Sequence, residues 1–116
     1  MERIWRATIN SWNGLVAVTR SEAAFRQEVG LLAISVPLAF FLTPDVAKRF
    51  LLIGVIVFIL VVELLNTAIE KLSDRVTTET DPAIRRVKDV GSAAVGLSLL
   101  AAGVVWIWVA VERFWG

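Results

Sequence analysis

Hydrophobic and polar positions fall in blocks along this chain, and the longest block without a polar side chain is 50–62. It ends at Glu63, and the following Glu63-Leu-Leu-Asn66-Thr-Ala-Ile-Glu70 stays mostly apolar with two more polar groups. A run of this kind predicts a membrane-spanning helix over about 46–72. An earlier apolar segment, 29–42, is short for the ~20 residues a span needs. Pro37 interrupts it, which a membrane helix tolerates better than a soluble one. It reaches span length when its helix begins near Glu22, giving a span of about 26–43. A third span is predicted over about 83–114, within which 93–111 carries no charge. Thr43-Pro-Asp-Val-Ala-Lys-Arg49 reads as a tight turn in which Thr43 or Asp45 can cap the next helix. A polar stretch, 73 to about 82, separates the second span from the third.

The first 25 residues follow a different rhythm. Trp5, Ile9, Trp12 and Val16 step by four, three and four, while Arg3, Arg6, Asn10, Asn13 and Arg20 take the other side. An apolar face with tryptophans opposite a basic polar face describes a helix lying in the membrane interface. The pattern as a whole predicts an all-α membrane protein with three transmembrane helices and an N-terminal amphipathic surface helix.

Composition agrees. At 116 residues, 57% hydrophobic, and a mean hydropathy of +0.71, the chain is one small domain, residues 1–116, with too much apolar surface for a soluble fold of its size. The absence of cysteine and histidine excludes disulfides, thiolate catalysis and zinc or haem sites built on those ligands. The charged N-terminus, Met1-Glu-Arg-Ile-Trp-Arg, lacks the apolar core of a signal peptide.

The net charge of +1 says little, but its placement sets an orientation. Nine basic residues (Arg3, Arg6, Arg20, Arg26, Lys71, Arg75, Arg85, Arg86, Lys88) lie on one side of the predicted spans and three (Lys48, Arg49, Arg113) on the other. The positive-inside rule then puts the N-terminus and the 71–88 region in the cytoplasm and the C-terminus outside. Trp106, Trp108 and Trp115 are expected as an aromatic belt at the outer interface.

The same topology gathers Glu2, Glu22, Glu28, Glu63, Glu70, Asp74, Glu79, Asp81 and Asp89 on the cytoplasmic side. Glu63, Asn66, Glu70 and Asp74, at i, i+3, i+7 and i+11, share one helix face. Lys88 and Ser92 share a face of the third span. An ionisable group beside a membrane-grade segment is expensive and reads first as functional. Carboxylates with a lysine and no histidine suit a hard cation such as Mg²⁺, bound through one or two carboxylates plus substrate phosphates. Phosphoryl transfer needs little more than a metal, a cation and a placed base. Glu63, the deepest carboxylate, is the candidate base for a lipid hydroxyl; Glu22 and Glu70 sit nearer water and suit the metal. Structural readings stand beside these. A polar stripe can pair neighbouring helices, Lys88-Asp89 can be a juxtamembrane charge pair, and Glu22 with Arg26 fits an i, i+4 salt bridge worth ~0.3–0.5 kcal/mol. There is no Gly-rich phosphate loop, since the seven glycines are scattered.

Three motifs, Glu22-Ala-Ala-Phe-Arg-Gln-Glu28, Glu63-Leu-Leu-Asn66-Thr-Ala-Ile-Glu70 with Asp74-Arg75, and Lys88-Asp89-Val-Gly-Ser-Ala-Ala94, resemble the prokaryotic diacylglycerol kinase family. The resemblance runs from Arg3 to the C-terminus. It implies a homotrimeric membrane kinase with active sites shared between neighbouring subunits, phosphorylating diacylglycerol with MgATP and having no nucleic-acid partner. It implies Glu63 as catalytic base and Glu22 and Glu70 as metal ligands that also contact ATP. Other ATP-binding positions it implies are Arg3, Asn10, Glu79, Thr80, Asp81, Lys88 and Asp89, with Asn66 and Asp74 in support. Lipid contact is implied at Arg3, Ala7, Trp12, Val16, Thr19, Ala24, Phe25, Arg26, Gln27, Glu28, Arg49, Glu63, Ser92, Trp106 and Val111. Two departures stand out: Asn10 replaces an aromatic residue found in relatives, and the loop over 77–82 is loosely matched.

Two other readings compete. An undecaprenol kinase of the same fold would differ only in its acceptor. A non-enzymatic helical subunit or ion pathway would use Glu63 and Glu70 as a carboxylate relay, but it needs neither the Lys88-Asp89-x-x-Ser92 motif nor a surface helix.

Overall fold

The computed structural model describes residues 1–77 and 79–116 and contains four helices: α1 (Glu2–Ser21), α2 (Ala23–Leu42), α3 (Val46–Val76) and α4 (Pro82–Trp115). α2, α3 and α4 are each long and apolar enough to cross a membrane. At 1.5 Å per residue, the 31 residues of α3 reach beyond a hydrocarbon core of ~30 Å. Its last turns, from about Glu63 onward, therefore lie at or beyond the boundary.

Local chemistry explains where these helices start. Asp45 caps α3, its carboxylate accepting from the Ala47 amide at 3.1 Å, while the Thr43 hydroxyl accepts from the Asp45 amide. Asp81 caps α4 by accepting from the amides of Ala83 and Ile84, and Pro82 occupies the first helical position, where its missing N–H is not needed. The break between α1 and α2 is of another kind. Glu22 alone is extended, with φ −116° and ψ 110°, and caps neither helix with its side chain. Arg26 satisfies the end of α1 instead, donating to the carbonyls of Thr19 and Arg20 at 2.9 and 3.0 Å. The i, i+4 pair expected between Glu22 and Arg26 therefore does not form, because the two residues straddle a helix break.

α3 is the central element, packing most extensively on α4 and next on α2, while α1 rests on α2. Ala39, Leu52 and Val109 form one buried cluster; Ile56, Ile59 and Ala102 form another. Between helices in lipid the hydrophobic effect offers little, so close approach of small residues and interhelical hydrogen bonds carry the association. Ala39, Ala102, Ser35 and Ser98 are all buried, and each serine hydroxyl returns to a carbonyl of its own helix at 2.7 Å. α2 continues through Pro37, whose ring nitrogen leaves the carbonyl four residues back without its usual donor.

Trp106 departs from the expected belt. It packs against both buried clusters, and its indole Nε1 donates to the Leu52 carbonyl at 3.0 Å, tying α4 to α3 inside the hydrocarbon layer. Trp108 and Trp115 remain exposed. At that end of the bundle Lys48 pairs with Glu112 across α3 and α4 and lies 5.2 Å from the Trp108 ring. Arg49 stacks on Phe40 at 4.1 Å and donates to the Thr43 carbonyl at 2.7 Å. No α1 residue is buried, and its Ile4, Trp5 and Trp12 stay exposed, as a helix lying on an apolar layer requires.

Candidate active site

The carboxylates on α3 and the start of α2 meet at the end of the bundle opposite the Lys48–Glu112 pair. Glu63 is half-buried where the apolar run ends, and the charges of Glu22 and Glu70 act on it, as its own acts on Glu28. Glu28 is half-buried too, and its Oε2 is enclosed without a hydrogen-bond partner. One turn beyond Glu63, Asn66 is buried and its Nδ2 donates to Glu70 Oε1 at 3.1 Å. The predicted polar face of α3 is thus directed at α2 and α4 rather than at lipid.

Asn66 is placed by a glycine. α4 comes so close at Gly91 that a Cβ there would overlap the Asn66 amide oxygen. Gly91 appeared in the sequence only as the glycine of the Lys-Asp-x-Gly-Ser motif, with no role attached; its role is to let α4 approach. Gly91→Ala should lower the thermal midpoint by only a few degrees, since the obstacle is the end of a side chain, though a buried and hydrogen-bonded one, and not backbone. Turning the Asn66 amide removes the Asn66–Glu70 hydrogen bond, typically worth about 1 kcal/mol, so activity should fall roughly fivefold. Full activity in the variant would show that the bond does not matter to the site.

Further along the same face, Asp74 Oδ1 accepts from Lys88 Nζ at 2.5 Å, joining the end of α3 to the start of α4. Lys88 therefore pairs across helices and not with its neighbour Asp89, contrary to a simple juxtamembrane pair. Asp74, Glu79, Thr80, Asp81, Arg85 and Lys88 line a cleft of about 250 Å³. Of the 77–82 loop, Thr78 lies outside the described residues. With Thr77, which also lines it, the cleft offers two cations, three carboxylates and two hydroxyls, so a polyphosphate there would need a divalent cation to offset the carboxylates.

An apolar groove of about 260 Å³ opens between α2, α3 and α4, lined by Leu31, Leu38, Ile56, Ile59, Leu99 and Trp106 among others. Ile59 precedes Glu63 by one helical turn, so hydrocarbon in this groove would bring an attached headgroup toward Glu63.

Other predicted positions are distributed differently. Arg3, Ala7 and Asn10 share a shallow depression on α1 with Glu2 and Arg6. Among the described residues no hydrogen bond or ion pair links them to the α3 carboxylates. Phe25 is buried and packs inside the chain, whereas Trp12, Thr19, Ala24, Gln27, Ser92, Asp89 and Val111 are exposed and Val16 is half-buried. Arg49 lies at the far end of the bundle, held by Thr43 and Phe40.

One charged contact was not anticipated. Lys71 Nζ lies 3.5 Å from Glu22 Oε1, linking α3 to the α1–α2 break. The only sequence signal for it was a lysine directly after Glu70, on a helix whose other charges are mostly acidic at that level.

Glu22 and Glu70 are hard oxygen donors near one another's target, Glu63, and suit Mg²⁺ in type. Among the described residues no three carboxylates close around a common point. That fits an ion held by one or two carboxylates and completed by substrate phosphates, the usual habit of Mg²⁺.

Comparison with known proteins points the same way. Residues 9–110 match the family described as prokaryotic diacylglycerol kinase. The chain is 44% identical over 106 residues to a diacylglycerol kinase of Pseudomonas aeruginosa, covering 91% of this chain and 86% of the relative. It is 41% identical over 104 residues to a diacylglycerol kinase of Escherichia coli K12, covering 90% and 85%. A third relative, a diacylglycerol kinase of Haemophilus influenzae, is 39% identical over 100 residues, covering 86% and 85%.

Proposed function

The chain belongs to the prokaryotic diacylglycerol kinase family, and from that premise we propose that it transfers the γ-phosphate of ATP to the hydroxyl of diacylglycerol, giving phosphatidic acid for phospholipid metabolism. The observation that carries the reading is the position of Glu63, one helical turn beyond the Ile59 that lines the apolar groove and within reach of the charges of Glu22 and Glu70. A lipid acceptor presents its hydroxyl at that depth, and a nucleotide approaches from water.

In this reading Glu63 accepts the hydroxyl proton as the lipid oxygen bonds to the γ-phosphorus, and ADP leaves with the electron pair of the bond that breaks. Glu22 and Glu70 hold Mg²⁺, which neutralises phosphate charge when bound. Asn66 orients Glu70 through their hydrogen bond. Lys88 and Asp89 face the nucleotide from α4, Glu79, Thr80 and Asp81 border it, and Arg3 and Asn10 approach from α1. Lipid contacts fall on α1 (Ala7, Trp12, Val16, Thr19), on Ala24–Glu28 (residues 24–28), and on Ser92, Trp106, Arg49 and Val111.

The proposal includes one domain over residues 1–116, in the inner membrane, with the carboxylate-rich end in the cytoplasm and the C-terminus in the periplasm. It also includes a homotrimer with shared sites. Support for assembly comes from Gly54, Gly96 and Gly103, which have open space where a Cβ would stand and so allow another helix to come close.

The acceptor is tested by offering purified protein diacylglycerol or undecaprenol, each with MgATP, in matched bicelles. Preferential labelling of diacylglycerol is expected. Preferential labelling of undecaprenol would assign the chain to a polyprenol acceptor.

A further inference from the structure

Lys71 has no place in the reading above, although it is the one cation in ionic contact with a carboxylate assigned there to the metal, among the described residues. Its ammonium meets Glu22 Oε1 at 3.5 Å, and it follows Glu70 directly in sequence. Lys71 therefore touches one of the two carboxylates assigned to the metal, Glu22, and follows the other in sequence. Glu22 stands at the N-cap of α2 without a side-chain capping bond and, among the described residues, has no other ionic or hydrogen-bond partner for its side chain. The Lys71 side chain is 60% exposed and that of Glu22 35%. An ion pair so open to water is weak and exchanges readily.

We propose that Lys71 is a tuning cation for metal binding: its ammonium competes with the divalent ion for the Glu22 carboxylate. The proposal rests on the kinase reading and concerns the affinity with which the site takes its ion. A carboxylate oxygen turned to an ammonium is not free for a metal, and a unit positive charge a few ångströms away opposes a doubly charged ion by simple Coulomb repulsion. The pair is too exposed to block the site. It sets the ion concentration at which Glu22 changes partner. A lysine is suited to this role, since its single charge sits on a flexible four-carbon stem that can swing clear.

The role makes an unusual prediction about direction. Mutations that damage a site weaken ligand binding, whereas removing a competitor strengthens it. Mn²⁺ is the probe, titrated by electron paramagnetic resonance into the full-length protein in detergent with a non-hydrolysable ATP analogue equimolar to the sites, because substrate phosphates complete the coordination of such an ion. Lys71→Met should bind Mn²⁺ roughly threefold to tenfold more tightly than the wild type, as expected for removing one positive charge near a divalent ion in a partly screened setting. Lys71→Arg keeps the charge and should stay within about twofold of the wild type. In a Glu22→Gln background the advantage of Lys71→Met should shrink, because the contested carboxylate is gone.

Equal or weaker Mn²⁺ binding by Lys71→Met, with a wild type that binds Mn²⁺ and phosphorylates lipid, would overturn the role of Lys71 and leave the kinase reading intact. A full advantage surviving in the Glu22→Gln background would also overturn it, since Lys71 would then not act through Glu22. A wild type that neither binds Mn²⁺ nor phosphorylates lipid would overturn the kinase reading, and this role with it.

Discussion

Glu63→Gln is expected to lower lipid phosphorylation at least a hundredfold while nucleotide affinity changes by less than about twofold. General-base catalysis typically supplies 10²–10⁴ in rate, and glutamine keeps the shape of the side chain without its basicity. The position is what gives the change its selectivity. Glu63 is half-buried at the end of a polar-free run, one turn beyond the Ile59 that lines the apolar groove. Asp74, paired with Lys88 of α4 at the cleft proposed for the nucleotide, lies three turns further along α3. A base mutation should therefore lower kcat and leave ATP binding alone. Retention of more than about a tenth of the activity, a loss under ~1.4 kcal/mol of transition-state stabilisation, would remove Glu63 from the role of base.

Glu70→Gln should act on both parameters. Glutamine can still accept the hydrogen bond from Asn66 Nδ2, so the local fold should persist. The negative charge is lost, and a carboxylate ligand to a hard cation is far better than an amide. MgATP affinity should weaken about tenfold and turnover about a hundredfold, because the ion that Glu70 would hold would also stabilise the charge on the transferring phosphoryl group. Titration of MgATP by fluorescence or calorimetry, set beside turnover, separates the two effects. Unchanged MgATP affinity would place the metal elsewhere than Glu70.

That these two glutamates share a face was legible in the sequence because both lie on one helix, where a spacing of seven residues fixes it. For the same reason the three spans and the interfacial α1 could be read from apolar run length and from the stepping of Trp5, Ile9, Trp12 and Val16. Residue type offered Thr43 or Asp45 as the cap of α3, and the structure uses Asp45. What escaped the sequence involved contacts between helices, or a break without a breaker. Ser21-Glu22-Ala23 contains neither glycine nor proline, so nothing local marks the end of α1; the Arg26 guanidinium, seven residues from Thr19, completes it. Once the helix breaks there, Glu22 turns to Lys71, a partner 49 positions away that no periodicity could indicate.

Trp106 carries the same lesson. By composition it is one of three tryptophans near a helix end, and belts are where such residues usually sit. Its register on α4 directs it at α3, where the Leu52 carbonyl accepts its indole proton and two apolar clusters enclose its ring. Gly91 is a comparable case, because a glycine that permits close approach looks the same in sequence as one that does nothing. Gly96 and Gly103 on the same helix meet open space within the chain, whereas Gly91 lies against Asn66. Tertiary packing alone separates them.

The central claim is that the end of the bundle where Glu22, Glu63, Glu70 and Lys88 gather carries out phosphoryl transfer to a lipid. Its most direct test places purified wild-type protein and the Glu63→Gln variant side by side in bicelles with γ-labelled ATP, Mg²⁺ and diacylglycerol, and follows the label by thin-layer separation of the lipids. Label should appear in phosphatidic acid with the wild type and fall at least a hundredfold with the variant, in keeping with loss of a general base. A wild type that leaves both diacylglycerol and undecaprenol unlabelled would contradict the claim.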